Sequence, residues 1–422
     1  MRHAQGRYRV GAGVRRRRCA APPSAVPGTA MSASAADHAW MARALQLAAR
    51  GLYTTQPNPR VGCVLVRDDA CVGEGWHVRA GEAHAEVLAL HAAGERARGA
   101  TAYVTLEPCA HHGRTPPCVD ALIAAGVARV VVAMTDPNPK VAGRGLQRLR
   151  EAGIAVDVGL LAEPAGELNR GFCSRMQRAR PWLRIKLAMS LDGRTALANG
   201  RSQWISGDGA RADVQHWRAR SSAILTGSAT VLADDPRLTV RLGAAAGDVH
   251  VAPADAAGGR AGIAAAAAPS PFVQPLRVVL DAALRIPAQA RVLDASAPTL
   301  LLHAPPATLG GARHGSAELL AMPSHAGRLD LAAVLAELAR RGANEVQVEA
   351  GPTLCGALFA AGLVDELLLY IAPVLLGDAA RPLLHLPPLQ DMAARWRLRL
   401  VEQRAIGSDW RLLLRPAASG AE

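Results

Sequence analysis

Apolar positions along the chain follow two rhythms, and the switches between them mark out the elements. Residues 40–50 place Met41, Leu45 and Leu47 at helical spacing, which predicts a helix. Residues 61–66 and 71–76 read as strands and residues 83–92 as a helix. TAYVTL at 101–106 is rich in strand formers and stops at Pro108. Residues 119–125 predict a helix ended by Gly126, RVVVAM a buried strand, and residues 143–152 another helix. Alternating strands and helices imply a layered α/β domain.

The rhythm restarts beyond a basic, Pro-containing stretch at 175–181. LRIKLAMSLDG predicts a strand running into a Gly turn. Helices are expected at 208–218, 329–340 and 352–361, and strands at 223–226, 277–281, 299–302, 345–349 and 366–371. The pattern divides the chain into an extension (1–36), a first α/β domain (37–180) and a second (181–417). Residues 243–270 are Ala/Gly-rich without periodicity and predict a flexible surface insertion. There is no internal repeat.

A chain of 422 residues, half of them apolar, holds two or three domains with real cores. Its apolar runs are broken well short of a membrane span. The net charge of +13 raises the question of nucleic acid, but seven Arg fall in residues 1–18, and without residues 1–30 the charge is 13 − 7 = +6. Only Lys140 and Lys186 are lysines, so the cations are almost all Arg, and they read as dispersed, solvated charge. Residues 1–36 contain no Asp or Glu and are too rich in Pro and small residues for a secretory signal. A transit peptide fits better. The preferred reading is that Met31 is the true start and that the extension is disordered. Seven scattered cysteines argue against a disulfide framework and for a reducing cytoplasm, where a close Cys pair more often means metal.

Such a pair lies in EPCAHHGRTPPC, residues 107–118. Upstream, AHAEVLAL places His84 and Glu86 two apart at a helix start. A zinc deaminase needs three protein ligands, an open position and a Glu that is not a ligand. His84, Cys109 and Cys118 are the expected ligands, with Glu86 carrying a proton from water to the leaving amine. Both cysteines are expected near helix N-termini, which favour thiolate. His111 and His112 are then loop residues; a closed four-ligand site using one of them would leave Glu86 unexplained. In the second domain VEAGPTLCGAL reads as strand, Gly, helix, whose N-terminus offers N–H groups to a phosphate, though it is not a GxGxxG motif. Lys186 in a strand interior is a poor place for a spare ammonium. It either snorkels or reaches a ribose and its reactive oxygen.

Most nucleoside and nucleic-acid deaminases carry Cys–x2–Cys, whereas eight residues separate Cys109 from Cys118. The longer loop closely resembles that of the bifunctional riboflavin-biosynthesis deaminase/reductases. The resemblance extends through TTQPNPRVGCVLV, TDPNPKVAGRG, SQWISG, ILTGSATVLADDPRLTVR and LVDELLLYIAPVLLG, over roughly residues 37–414. It implies a cytidine-deaminase-like three-layer α/β domain followed by a dihydrofolate-reductase-like α/β domain. The first, with zinc, would deaminate a diaminopyrimidinone ribosylamino 5′-phosphate. The second, with NADPH, would reduce the ribosyl chain to ribityl. The resemblance places Asn58 on the pyrimidine in the deaminase pocket and lets His77 line it too; read alone, Asn58 is a turn residue between two prolines. It places NADPH along Gly351, Pro352, Thr353, Leu354, Cys355, Gly356 and Ala357, with Ala188, Trp204, Thr230, Asp234 and Ala282 nearby. Substrate would meet Ser202, Arg218, Leu238, Arg241 and Glu349, and the two arginines suit a 5′-phosphate held by bidentate guanidinium. A small-molecule substrate, a homo-oligomer, and neither nucleic acid nor membrane are expected. The rival is a zinc deaminase of another nucleotide or of tRNA with a non-reducing second domain.

Overall fold

The computed structural model describes residues 33–111, 116–139, 141–242, 271–305 and 313–417. Residues 1–32, Lys140, His112 and the Ala/Gly-rich stretch 243–270 lie outside them, so the expectations placed there go unexamined.

In chain order the first part comprises α1 (Ala35–Ala49), β1 (Gly62–Arg67), β2 (Ala70–Trp76), α2 (Ala85–Ala93), β3 (Thr101–Val104), α3 (Cys118–Ala125), β4 (Arg129–Val132), α4 (Arg144–Glu151), β5 (Ala155–Val158), α5 (Ala162–Leu168) and α6 (Arg170–Arg178). α1 begins five residues earlier than its apolar spacing predicts, because Ser34 and Asp37 form a capping box. Asp37 also accepts from Tyr103 Oη at 2.7 Å and Arg129 at 2.7 Å, tying the helix start to β3 and β4. The sheet order is β2-β1-β3-β4-β5, antiparallel up to β3 and parallel beyond. Alternation along β1 sends Cys63 and Leu65 toward α2, α3 and α4, and Val64 and Val66 toward α1 and α5, which makes three layers. A Cβ at Gly62 would meet Ala44 O at 2.0 Å, and one at Gly75 would meet Ala85 O at 2.4 Å. Helices α1 and α2 thus lie directly on the strands, and the start of α2 is pressed onto β2.

The second part comprises β6 (Trp182–Ser190), β7 (Arg194–Ala196), α7 (Asp208–Ala219), β8 (Ala223–Gly227), α8 (Ser228–Asp234), β9 (Leu276–Leu280), β10 (Thr299–His303), β11 (Arg313–His314), β12 (Ala317–Ala321), β13 (Ser324–His325), β14 (Arg328–Leu329), α9 (Leu331–Arg340), β15 (Glu345–Val348), α10 (Pro352–Ala360), β16 (Glu366–Ala372), β17 (Arg381–Pro382), β18 (Leu398–Ile406) and β19 (Asp409–Pro416). Ten strands form one sheet in the order β11-β12-β10-β9-β8-β15-β6-β16-β19-β18. Strands β12 to β16 of that order run parallel, so their C-terminal ends open on one side, where open α/β sheets bind ligands.

The basic stretch at 175–181 is tied down: Arg178 and Arg180 each reach Asp365 at 2.8 Å, and Arg175 Nε reaches Asn344 at 2.7 Å. One sequence expectation changes here: the arginine excess is not merely solvated, since Arg184 and Arg277 are fully buried. Arg184 joins Glu345 (2.8 Å) and Glu366 (2.7 Å), while Arg60 meets Glu345 at 2.9 Å and Arg170 meets Glu366 at 3.0 Å. Arg220 adds a contact to Glu345 at 3.1 Å. Burial alone would push the Glu345 carboxyl up, but Arg220, Arg60 and Arg184 hold it well below its usual range. Such a cluster is sensitive to loss of any one member, which leaves a buried charge unpaired.

Candidate active sites

His84 is the N-cap of α2 in extended conformation, so its ring faces back across the helix start. Cys118 is the first residue of α3, and Cys109 lies in the loop after β3. One helix end serves both cysteines, not one each: the Cys118 N–H donates to Cys109 Sγ at 3.3 Å. His84 Nδ1 lies 3.2 Å from Cys118 Sγ and 3.6 Å from Cys109 Sγ. All three donor atoms fall within 4.8 Å of one another, a borderline-soft His/Cys/Cys set that fits zinc. Hydrogen bonding from the Cys118 thiol, His84 and the Cys118 N–H draws the Cys109 thiol down to about 4, while Cys118 is pushed up. Glu86, the second residue of α2, is buried and outside the donor set. Burial, then the charge of Cys109, raises its carboxyl to about 7. His111 is exposed and stands apart from the cluster.

Glu107 was passed over in the sequence, yet it builds the site. Its buried carboxylate accepts from the N–H groups of Asp136 (3.1 Å), Gly143 (2.9 Å) and Gly145 (2.9 Å), fixing the loop two residues before Cys109. The signal was available: a Glu before Pro–Cys, facing a Gly-rich helix start. Cys118→Ser is expected to lower bound zinc well below one per chain, read by metal analysis. Undiminished zinc would transfer the ligand role to another residue.

At the other site, a cleft of about 1130 Å³ opens along the C-terminal ends of the parallel strands. Of the cofactor candidates, Ala188, Trp204, Thr230, Asp234, Ala282, Gly351, Pro352, Thr353, Leu354 and Ala357 line it. So do Lys186, Ser202, Arg218, Leu238, Arg241 and Glu349. Cys355 and Gly356 do not: Cys355 is buried with its thiol on Ala350 O at 3.3 Å, and a Cβ at Gly356 would meet His385 O at 2.0 Å. The start of α10, the open space over Gly351 and the exposed Trp204 fit a dinucleotide.

Arg218 differs from expectation. Its Nε and Nη2 both bind Glu349 at 2.7 Å, and Nη1 binds Thr239 O at 3.1 Å, so its bidentate face is already committed. Burial raises the Glu349 carboxyl, but Arg218 outweighs that and brings it down to about 2. Burial lowers the Lys186 ammonium, and Glu349 partly restores it. Burial, then the charges of Arg218, Arg237 and Arg291, lowers the Arg241 pKa, with Glu349 acting in the opposite direction. Arg237 and Arg291 line the same cleft and were missed, because nothing in so Arg-rich a chain distinguishes them. Buried Arg277 binds the carbonyls of both, at 3.4 Å and 3.5 Å, and so aligns the two segments.

The sequence profile of the RibD C-terminal domain matches residues 181–412, and that of the cytidine and deoxycytidylate deaminase zinc-binding region matches residues 34–134. The riboflavin biosynthesis protein RibD of Escherichia coli K12 is 52% identical over 375 residues, 88% of this chain and 97% of that one. The chain belongs to the RibD family. RibD of Haemophilus influenzae is 47% identical over 91% of this chain and 98% of its own. The solved RibD of Acinetobacter baumannii superposes with a TM-score of 0.79 at 43% identity, over 91% of this chain and 99% of that one. A Thermotoga maritima deaminase/reductase superposes at 0.76 with 30% identity, over 90% and 99%. As a member of that family, this chain is a bifunctional deaminase and reductase of riboflavin biosynthesis, with a zinc-binding deaminase domain and an NADPH-dependent reductase domain.

Proposed function

We propose that residues 37–180 deaminate 2,5-diamino-6-ribosylamino-4(3H)-pyrimidinone 5′-phosphate and that residues 181–417 then reduce the ribosyl chain to ribityl. The Thermotoga structure is described as a diaminohydroxyphosphoribosylaminopyrimidine deaminase and 5-amino-6-(5-phosphoribosylamino)uracil reductase, which supports this substrate pair. The observation that carries the deaminase half is the convergence of His84, Cys109 and Cys118 beside a buried Glu86 that is not one of the donors. These three would hold zinc, which when bound lowers the pKa of a coordinated water to about 7. Glu86 takes a proton from the attacking water and returns it to the departing amine, so that water adds to the ring carbon and ammonia leaves. Asn58 donates through Nδ2 to His77 Nε2 at 3.0 Å, since His77 Nδ1 is engaged by Ala83 O at 3.1 Å. That leaves the Asn58 amide oxygen to the pyrimidine.

NADPH, when bound, supplies the hydride of the second step. The start of α10 would hold its phosphates, and Gly351 would permit their close approach. Lys186 and the Arg218–Glu349 pair orient the ribosyl chain, while Arg241, Arg237 and Arg291 take the 5′-phosphate. The direct test is to supply the diaminopyrimidine phosphate with and without NADPH. Aminouracil without NADPH and the ribityl product with it are expected; ribityl product without deamination would overturn the order.

Two coarser traits belong to the same reading. All six described cysteines are free, which supports a reducing cytoplasm. β18 is a nine-residue edge strand with Leu398, Leu400 and Val401 exposed, a surface suited to pairing with a second copy. Sedimentation is expected to show a homo-oligomer; a monomer at micromolar concentration would exclude it. Among the described residues no helix is long and apolar enough to cross a membrane.

A further inference from the structure

Residues 53–60 lie between α1 and β1, yet several of their anchors belong to the other half of the chain. The Tyr53 carbonyl accepts from the Val273 N–H at 3.1 Å, and the Tyr53 hydroxyl meets His216 Nδ1 at 3.3 Å. Gln56 accepts from the Ser222 hydroxyl and donates to the Arg220 carbonyl. The Pro57 carbonyl accepts from Asn344 Nδ2 at 2.9 Å and from Arg175 Nη2 at 3.0 Å. Arg60 closes the segment on Glu345 at 2.9 Å.

The Pro57 carbonyl and the Asn58 N–H belong to one peptide plane. Its oxygen is held by Asn344 and Arg175, and its N–H donates to Thr55 O at 2.9 Å. A plane fixed at both ends fixes where the Asn58 Cα sits, and so the point from which its side chain departs. That side chain reaches His77, whose ring stands edge-on to His84 at 5.3 Å between centroids. Asn344 is buried and committed at both ends of its amide, with Oδ1 on Arg175 Nε at 2.7 Å. It precedes β15, whereas the reductase cleft lies past the far end of that strand at Glu349, roughly 17 Å away at the usual rise per residue.

We propose that Asn344, on the reductase sheet, is a positioning residue for the deamination step. It holds the peptide from which Asn58 addresses the pyrimidine. The deaminase pocket is therefore completed by the reductase half, through a contact remote from the reductase cleft. The proposal rests on the reading of Asn58 as a pyrimidine contact.

The test uses the full chain. Asn344→Ala is expected to raise the deaminase KM about tenfold, the cost of one hydrogen bond supporting a placed group. Zinc content and the reductase kcat and KM should stay at wild-type values. Arg175→Met removes the other bond to the same carbonyl and should act in the same direction, which covers the case in which Asn344→Ala folds poorly. Asn58→Ala separates the two ideas. If it leaves deamination normal, the Asn58 reading fails and the proposal falls with it. If it impairs deamination while Asn344→Ala and Arg175→Met do not, only the proposal is overturned. Equal loss of both activities in the Asn344 and Arg175 variants would reduce them to structural residues and also overturn it. The double variant Asn58→Ala with Asn344→Ala should be little worse than Asn58→Ala alone, because the second change acts only through the first.

Discussion

Glu86→Gln is expected to abolish deamination while leaving zinc bound and reduction intact. The amide has nearly the same volume, so the packing around the first turn of α2 is kept. It cannot carry a proton, and a positioned proton carrier contributes about 10²–10⁴-fold. His84, Cys109 and Cys118 are untouched, so metal analysis should still find zinc. The reductase cleft is built from other strands, so pre-deaminated substrate should be reduced at the normal rate. Deamination within a few-fold of wild type would remove Glu86 from the mechanism.

The second large effect separates two glycines five residues apart. Gly351 has φ −75°, which any residue adopts, and a Cβ there meets nothing within 4 Å. Gly351→Val should therefore fold, with its methyl groups in the space left for the dinucleotide. Overpacking of about 1–3 kcal/mol is ordinary for such an intrusion, which corresponds to roughly fivefold to a hundredfold weaker NADPH binding. Deamination should not change. Gly356 is a packing glycine: its Cβ would lie 2.0 Å from His385 O, so Gly356→Ala must push α10 off the neighbouring backbone. That variant should lose thermal stability as well as cofactor affinity. Titration with NADPH and a melting curve distinguish the two; normal affinity in Gly351→Val would move the cofactor away from this turn.

What was legible in the sequence was local. His84 and Glu86 sit two apart, Cys109 and Cys118 nine apart, and a helix start and a short loop bring them together. The periodic elements were found nearly residue for residue where apolar spacing was clean, as in β10, α9 and β16. Helix α6, RGFCSRMQR, does not show as an element in the sequence because its arginines bind distant partners: Arg170 and Arg178 the carboxylates of Glu366 and Asp365, Arg175 Asn344 and the Pro57 carbonyl. The hairpin of β18 and β19 was also left unassigned: LRLVEQRAI and DWRLLLRP interrupt their apolar positions with charge. Arg218 was assigned to phosphate because its partner Glu349 lies 131 residues away and no local pattern announces the pair. Arg237 and Arg291 were invisible for the related reason that 46 of the 48 cations are Arg.

The buried Arg–Glu cluster has a consequence for how the chain is made. Glu345 and Glu366 keep Arg184, Arg220 and Arg415 as partners within the second half. Arg60 and Arg170 have their buried carboxylates only there. During synthesis the first half leaves the ribosome with two guanidiniums whose buried carboxylate partners are not yet made. Glu345 follows Arg60 by 285 residues, a wait of roughly 15–60 s at the usual translation rates. Nascent chains stalled before residue 345 should therefore stay protease-sensitive around residues 53–60, and become protected once residue 366 has cleared the exit tunnel. The first-made half of this enzyme is the last to be finished.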